Sequence, residues 1–293
     1  MVGCPFTPIP FEHPIMLLPI ARKFVAAEDQ AGALSHVADL NEDGIGGILN
    51  LLGEHYDNTA EATADADAYI DMIEAIDDAD LDCCVSVKPS QIGLDLGDDV
   101  FRTHLERIVD AGVDHDVFVW IDMEDYTTTD VTLDAFEHHA HETDGNVGLC
   151  VQANLKRTRA DVERLADVPG KIRFVKGAYD EPADVSYKQK ARVNEAYREL
   201  LAYAFEAFDD GIAVGSHDPE IIEYVEQLSE THGTPFEFQL LMGVREDAQR
   251  ELASEYEVYQ YAPYGPKYLS YFYRRIRERK ENALFALRAV LGR

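Results

Sequence analysis

Residues 171–179 read Lys-Ile-Arg-Phe-Val-Lys-Gly-Ala-Tyr. The first six are β-rich and alternate in character, which predicts a short strand ending on Lys176. Gly177 follows, where a missing side chain lets backbone N–H groups approach an anion closely. Seven similar runs recur, at 44–52 (GIGGILNLL), 82–88 (DCCVSVK), 117–122 (VFVWID), 146–152 (NVGLCVQ), 212–216 (IAVGS), 236–240 (FEFQL) and 258–262 (VYQYA). Stretches between them, such as 133–141 and 191–208, have the apolar spacing of amphipathic helices. Eight near-continuous apolar strands alternating with helices predict an α/β fold, a parallel (β/α)8 TIM-type barrel. An open doubly wound sheet is the structural alternative. Residues 1–40 precede the first strand and are expected to form an N-terminal helical extension, with residues 41–293 as the barrel of a single domain.

The composition fits such a domain. Apolar residues make up 46% of the 293, and 15 Tyr and 13 Phe can build a large core, which excludes a disordered chain. Fifty-six acids against 26 bases give a formal charge of −30, which argues against nonspecific nucleic-acid binding and docking on anionic lipid. There are few lysines (9, against 17 Arg), and 11 acids with no Lys or Arg lie between Glu54 and Asp82. This bias predicts a halophilic source, because at molar salt the Debye length falls to roughly 3 Å and self-repulsion is screened. The last 20 residues reverse the trend with seven bases and two acids, so they form a candidate functional element. Cysteines at 4, 83, 84 and 150 make no C-x-x-C pair, and adjacent Cys83 and Cys84 should point to opposite faces of a strand. They read as buried apolar residues of an intracellular, cytoplasmic protein. The opening MVGCPFTPIP lacks the basic region of a secretory signal, and the apolar stretch 14–21 is too short to span a bilayer.

In a barrel of this kind the active site lies at the C-terminal ends of the strands. There the sequence places Glu54, Lys88, Asp122, Gln152, Lys176, His217, Gln239 and Tyr261. Two strand-end lysines suggest Schiff-base chemistry of an aldolase or lyase, or else lysines paired with a carboxylate or phosphate. Arg173, Lys176 and Gly177 lean toward a pyrophosphate or other polar cofactor. No dinucleotide fingerprint or P-loop is present; 44–49 (GIGGIL) lacks the third glycine. A bound dinucleotide would therefore sit on the barrel top itself. His138, His139 and His141 read as a solvated helix face, and no metal site is expected. Around His217, Gly215-Ser216-His217-Asp218-Pro219 passes from strand to helix and fits either an anion or cofactor edge, or a capping cluster. Near the C-terminus, Arg274 and Arg275 project about 100° apart on a helix and suit a carboxylate, with Glu278 one turn on to orient them.

Together these residues resemble the proline dehydrogenase family of flavin-dependent (β/α)8 barrels. The matching segments are Ser86-Val-Lys88-Pro, Ile121-Asp122-Met123-Glu124, Val151-Gln152-Ala153, 173–179, Ser216-His217-Asp218-Pro219, 236–243, 261–265 and Arg274-Arg275-Ile-Arg-Glu278 with Glu281-Asn282. They occur in order, each at its expected strand end, and the chain looks like the short, monofunctional type. The resemblance implies FAD-dependent oxidation of L-proline to Δ1-pyrroline-5-carboxylate, the first step of proline catabolism, with electrons passed to a membrane quinone through a transient peripheral contact. It implies that Lys88, Arg274 and Arg275 hold the proline carboxylate, that Tyr261 packs on the ring, and that Glu278 completes the arginine cluster. Asp122 and Arg173 become active-site residues, Arg173 close to the flavin's reactive nitrogen. Met123, Gln152, Lys176, Gly177, Ala178, Ser216, His217 and Gln239 would line the FAD. Two positions depart from the family pattern: Asn154 replaces its usual tyrosine, and Gly215-Ser216-His217 replaces Ala-Thr-His. A Schiff-base lysine enzyme and a non-catalytic barrel that binds an amino acid or osmolyte are the competing classes.

Arg274→Ala and Arg275→Ala are each expected to raise KM for L-proline strongly while FAD is retained. Loss of FAD from both variants would contradict the carboxylate clamp.

Overall fold

Cys83 and Cys84 mark the two faces of the sheet. In the computed structural model, which describes residues 22–268, Cys83 joins an outer apolar cluster with Val37, Leu49 and Val85. Cys84 packs inward with Ile48, Trp120 and Ala213. This period of two repeats around eight strands: β1 (Gly46–Leu51), β2 (Cys83–Val87), β3 (Val119–Ile121), β4 (Val147–Gln152), β5 (Lys171–Val175), β6 (Ile212–Gly215), β7 (Phe236–Leu241) and β8 (Glu257–Tyr264). Every neighbouring pair is parallel, and β1 closes on β8 with Gly46 opposite Tyr259 and Leu51 opposite Tyr264. The sheet is a closed barrel, so the doubly wound alternative is excluded.

Among the described residues one α-helix precedes β1 and one follows each of the first seven strands. They are α1 (Gln30–Glu42), α2 (Thr59–Asp78), α3 (Asp98–Asp114), α4 (Thr129–Glu142), α5 (Thr158–Leu165), α6 (Lys190–Ala207), α7 (Pro219–His232) and α8 (Glu246–Ala253). Their apolar faces and the outward strand residues share one cluster, and burial of each large side chain there stabilises the fold by about 1.5–3 kcal/mol. At the start of α7, Pro219 takes the first helical position and Asp218 caps it by accepting from the Glu220 N–H at 3.2 Å. The expectation of a solvated histidine face on α4 fails at His139. That ring is buried, and burial together with His138 pushes its pKa down to about 4, so it sits in the core as a neutral side chain. No helix among the described residues is long and apolar enough to cross a membrane.

The barrel interior needs small residues beside large ones. Gly148 lies in register with Trp120, and a Cβ on it would stand 2.6 Å from the indole ring. The missing side chain admits Trp120, which is almost fully buried and forms part of the floor beneath the site. Arg274, Arg275 and Glu278 lie outside the described residues.

Candidate active site

Asp122 leaves the end of β3 with its backbone N–H donating to Val87 O at 2.9 Å, one step beyond the β2–β3 ladder. Its carboxylate is buried and gathers four donors from three other strands. Oδ2 accepts from Lys88 Nζ at 2.7 Å and from the Tyr261 hydroxyl at 2.8 Å. Oδ1 accepts from Ser86 Oγ at 3.0 Å and from Arg173 Nη2. The guanidinium of Arg173 also donates to Ser86 Oγ at 3.1 Å and to Gln239 Oε1 at 3.0 Å. It lies over two aromatic rings, 4.8 Å from the Trp120 centroid and 5.5 Å from that of Tyr261. Four of the predicted residues, Lys88, Asp122, Arg173 and Tyr261, thus form one network, with Gln239 attached to it.

The charges of this network are fixed by one another. Burial alone would raise the Asp122 pKa, but Lys88 and Arg173 outweigh it and hold the carboxyl well below the usual carboxylate range. Burial would lower that of Lys88, and Asp122 reverses this, so the lysine stays an ammonium. A Schiff-base lysine needs a neutral amine, so the environment of Lys88 opposes that chemistry. Lys176 is likewise paired, with Asp218 Oδ2 at 2.8 Å.

A second group of polar residues lines the rim from β4 to β7. Ala153 and Asn154 extend the pairing of β4 with β5, donating to Val175 O at 2.8 Å and Lys176 O at 3.0 Å. Gln152 spans the rim, donating to Glu124 O at 2.7 Å and accepting from Ala178 N–H at 3.3 Å. Met123, next to Asp122 in sequence, is buried in the outer apolar cluster. Gly177 has φ +106°, and a Cβ there would come within 2.1 Å of Asn154 Oδ1, so only glycine fits. Ser216 Oγ accepts from the N–H of the capping Asp218 at 3.2 Å. His217 Nε2 accepts from Leu241 N–H at 2.8 Å, while its carbonyl takes Arg245 Nη1 at 2.6 Å. Burial and the Arg245 charge push the His217 pKa down to about 4, so the ring is neutral and carries its hydrogen on Nδ1 as a donor.

Several contributors escaped the sequence reading. Ser86 was seen only as part of a matching segment, yet it bonds both Asp122 and Arg173. Trp120 and Glu237 sit inside strands, where an inward side chain looks like core. Glu124 is held by Ser90, its two oxygens accepting from the backbone N–H at 2.6 Å and from Oγ at 2.8 Å. An acidic residue just after the strand-end aspartate was a signal for it.

Asp122→Asn is expected to cost about 3–5 kcal/mol in urea denaturation, because the buried Arg173 and the partly buried Lys88 lose their anion. A carboxyl held below its ordinary range adds stability that is present in full above the unfolded aspartate value of about 3.9, and this is lost as pH falls through the folded-state value. The variant should therefore lose part of the acid-side decline of the parent protein. Equal stability and an identical acid limb would contradict the network.

The proline dehydrogenase family model matches residues 33–288. A proline dehydrogenase of Deinococcus radiodurans is 40% identical over 280 residues, covering 93% of this chain and 90% of that protein. Proline dehydrogenase 1 of Bacillus subtilis (strain 168) is 37% identical over 275 residues, covering 92% and 90%. Among solved structures, proline utilization A (PutA) from Bdellovibrio bacteriovorus, inactivated by N-propargylglycine, superposes with a TM-score of 0.80 at 23% identity. That match covers 89% of this chain but 32% of the PutA chain, and it shows the shared barrel fold. The family match over most of the chain and the close relatives together establish that this chain belongs to the proline dehydrogenase family.

Proposed function

We propose that the chain oxidises L-proline to Δ1-pyrroline-5-carboxylate with FAD as its cofactor. The observation that carries this reading is the Lys88–Asp122–Arg173–Tyr261 network at the barrel mouth, in a chain of this family. Two cations, Arg173 buried and Lys88 partly buried, share one carboxylate, which suits the carboxylate of an amino acid.

The rim fits a polar dinucleotide. Asn154 Oδ1 is buried without a hydrogen-bond partner, its carboxamide packed over Gly177 in the space a side chain there would take. An acceptor in this state suits a ligand hydroxyl or amino group. Gln152, Lys176, Gly177, Ala178, Ser216 and His217 stand at or just past the ends of β4, β5 and β6, with Arg173 and Gln239 inside the barrel and Met123 packed in the outer apolar cluster after β3. These residues would hold the FAD. When bound, FAD supplies the two-electron acceptor for the hydride that leaves the carbon next to the proline nitrogen.

The protein's own groups then divide the work. Lys88 fixes the substrate carboxylate, with Arg274 and Arg275 as further partners and Glu278 orienting them. Tyr261 is anchored by Asp122 and presents its ring to the pyrrolidine. Asp122 is too acidic to serve as a base at neutral pH, so its role is to orient Lys88, Tyr261 and Arg173. Proline reacts as the free amine, having lost its ammonium proton before the hydride leaves. Arg173 brings a permanent positive charge to the site, which favours build-up of negative charge during reduction. Electrons leave to a quinone, as the family resemblance implies, through a transient contact at the inner face of the membrane. The acidic surface supports work at high salt, where repulsion from anionic lipid is screened.

With L-proline and a dye acceptor, the protein is expected to form a cyclic imine, read as its coloured adduct with o-aminobenzaldehyde. Lys88→Met should raise KM by about tenfold or more, the value of a hydrogen bond to a charged group, with the same product. Absence of imine from the parent protein, or a borohydride-trapped substrate adduct on a lysine, would contradict the reading.

A further inference from the structure

A line of hydrogen bonds descends through the barrel axis from Asp122 to the lower rim. Arg173 Nη1 donates to Gln239 Oε1 at 3.0 Å. Gln239 Nε2 donates to Glu237 Oε1 at 2.5 Å. The other oxygen of Glu237 accepts from Lys171 Nζ at 2.5 Å, at the first residue of β5. Ala213 lies in register with both Arg173 and Glu237, and its small side chain leaves the interior open between them. Glu237 is 3% exposed, flanked in sequence by Phe236 and Phe238. A carboxylate buried in a barrel core is costly unless it is paired and used.

The chemistry of the middle link gives this line a direction. The two ends of a carboxamide are nearly equal in shape and opposite in hydrogen-bonding sense. An ionised carboxylate only accepts, so Glu237 must face the NH2 end of Gln239. The carbonyl end is then the one left for the guanidinium, which only donates. A neutral amide at position 237 would remove this constraint, because it could accept or donate. Gln239 could then turn its NH2 toward Arg173, and Nη1 would lose its acceptor. Burial pushes the Glu237 carboxyl upward, Lys171 and Gln239 pull against it, and the raised Lys171 ammonium keeps the pair charged.

We infer that Glu237, held by Lys171, is a positioning residue for Arg173. Acting through Gln239, it fixes which end of the carboxamide meets the guanidinium and so where that positive charge stands in the site. The inference rests on the proposed reading, in which Arg173 lies against the flavin.

The test is the flavin midpoint potential, measured by reductive titration against redox dyes without proline, in the FAD-loaded protein. Replacing Glu237 alone unmasks Lys171, and the added positive field would by itself raise the potential. The variant Lys171→Met/Glu237→Gln removes both charges and leaves no unpaired one, so the positioning effect stands alone. The double variant is expected to lower the potential by about 30 mV, a tenfold change for a two-electron couple. Flavin reduction at saturating L-proline should slow by about tenfold, with KM unchanged to within about twofold. In a Gln239→Met background the same two substitutions should change neither quantity further.

A lower Tm with potential and reduction rate unchanged would overturn the inference, leaving Glu237 as packing. Losses that add fully to those of Gln239→Met would overturn it as well, because the effect would not pass through Gln239. The functional reading fails separately. A parent protein whose flavin is not reduced by proline contradicts that reading, while the dye titration still decides the role of Glu237. A parent protein that takes up no FAD overturns both.

Discussion

The site depends on one carboxylate. Asp122 is buried where Lys88 and Arg173 converge, and neither cation would be tolerated there alone, since an uncompensated buried charge costs several kcal/mol. The need for all three to meet ties β2, β3 and β5 together, and the Tyr261 hydroxyl adds β8. It also leaves two positive charges to one negative one. On the proposed reading a carboxylate-bearing substrate relieves that imbalance, so the constraint that organises the site also selects what enters it.

The barrel supplies the geometry at little local expense. Inward residues recur every second position, and the register sets which of them share a level. Trp120 can fill the axis because its cross-strand neighbour is Gly148, and Arg173 rests against the indole that results. Arg173 is in turn reached by Gln239, and through it by Glu237, because Ala213, between them in the sheet, is small. Placement of the guanidinium is thus a property of several strands and not of its own strand alone.

Much of this was legible in the sequence because strand period and strand end are local features. The eight apolar runs were found at their places. The residues just past them, Lys88, Asp122, Gln152 and Lys176, stand at the barrel mouth as the β/α alternation requires. The mid-strand polar residues were not legible. Glu237 alternates with phenylalanines, a pattern shared by any half-exposed strand, and only closure of the barrel turns its outward-looking periodicity into a buried charge. His139 failed for the reverse reason: its acidic and histidine neighbours suggested water, while the helix turns that one ring into the core. The orphaned Asn154 oxygen required three dimensions, since its setting is made by Gly177 on the next strand end.

The charge distribution follows the same logic. The surface is dominated by acids, with a formal charge of −30, yet three of the nine lysines lie along the barrel axis or mouth, as Lys88, Lys171 and Lys176, each paired with an acid. These retained bases mark the site. The central claim, that this barrel uses bound FAD to oxidise L-proline, is tested most directly by the anaerobic visible spectrum of the protein purified in high salt, recorded before and after addition of L-proline. The account predicts a yellow protein whose flavin band bleaches on addition. A colourless protein that cannot be loaded with FAD, or a flavin band that L-proline leaves unchanged, would contradict it.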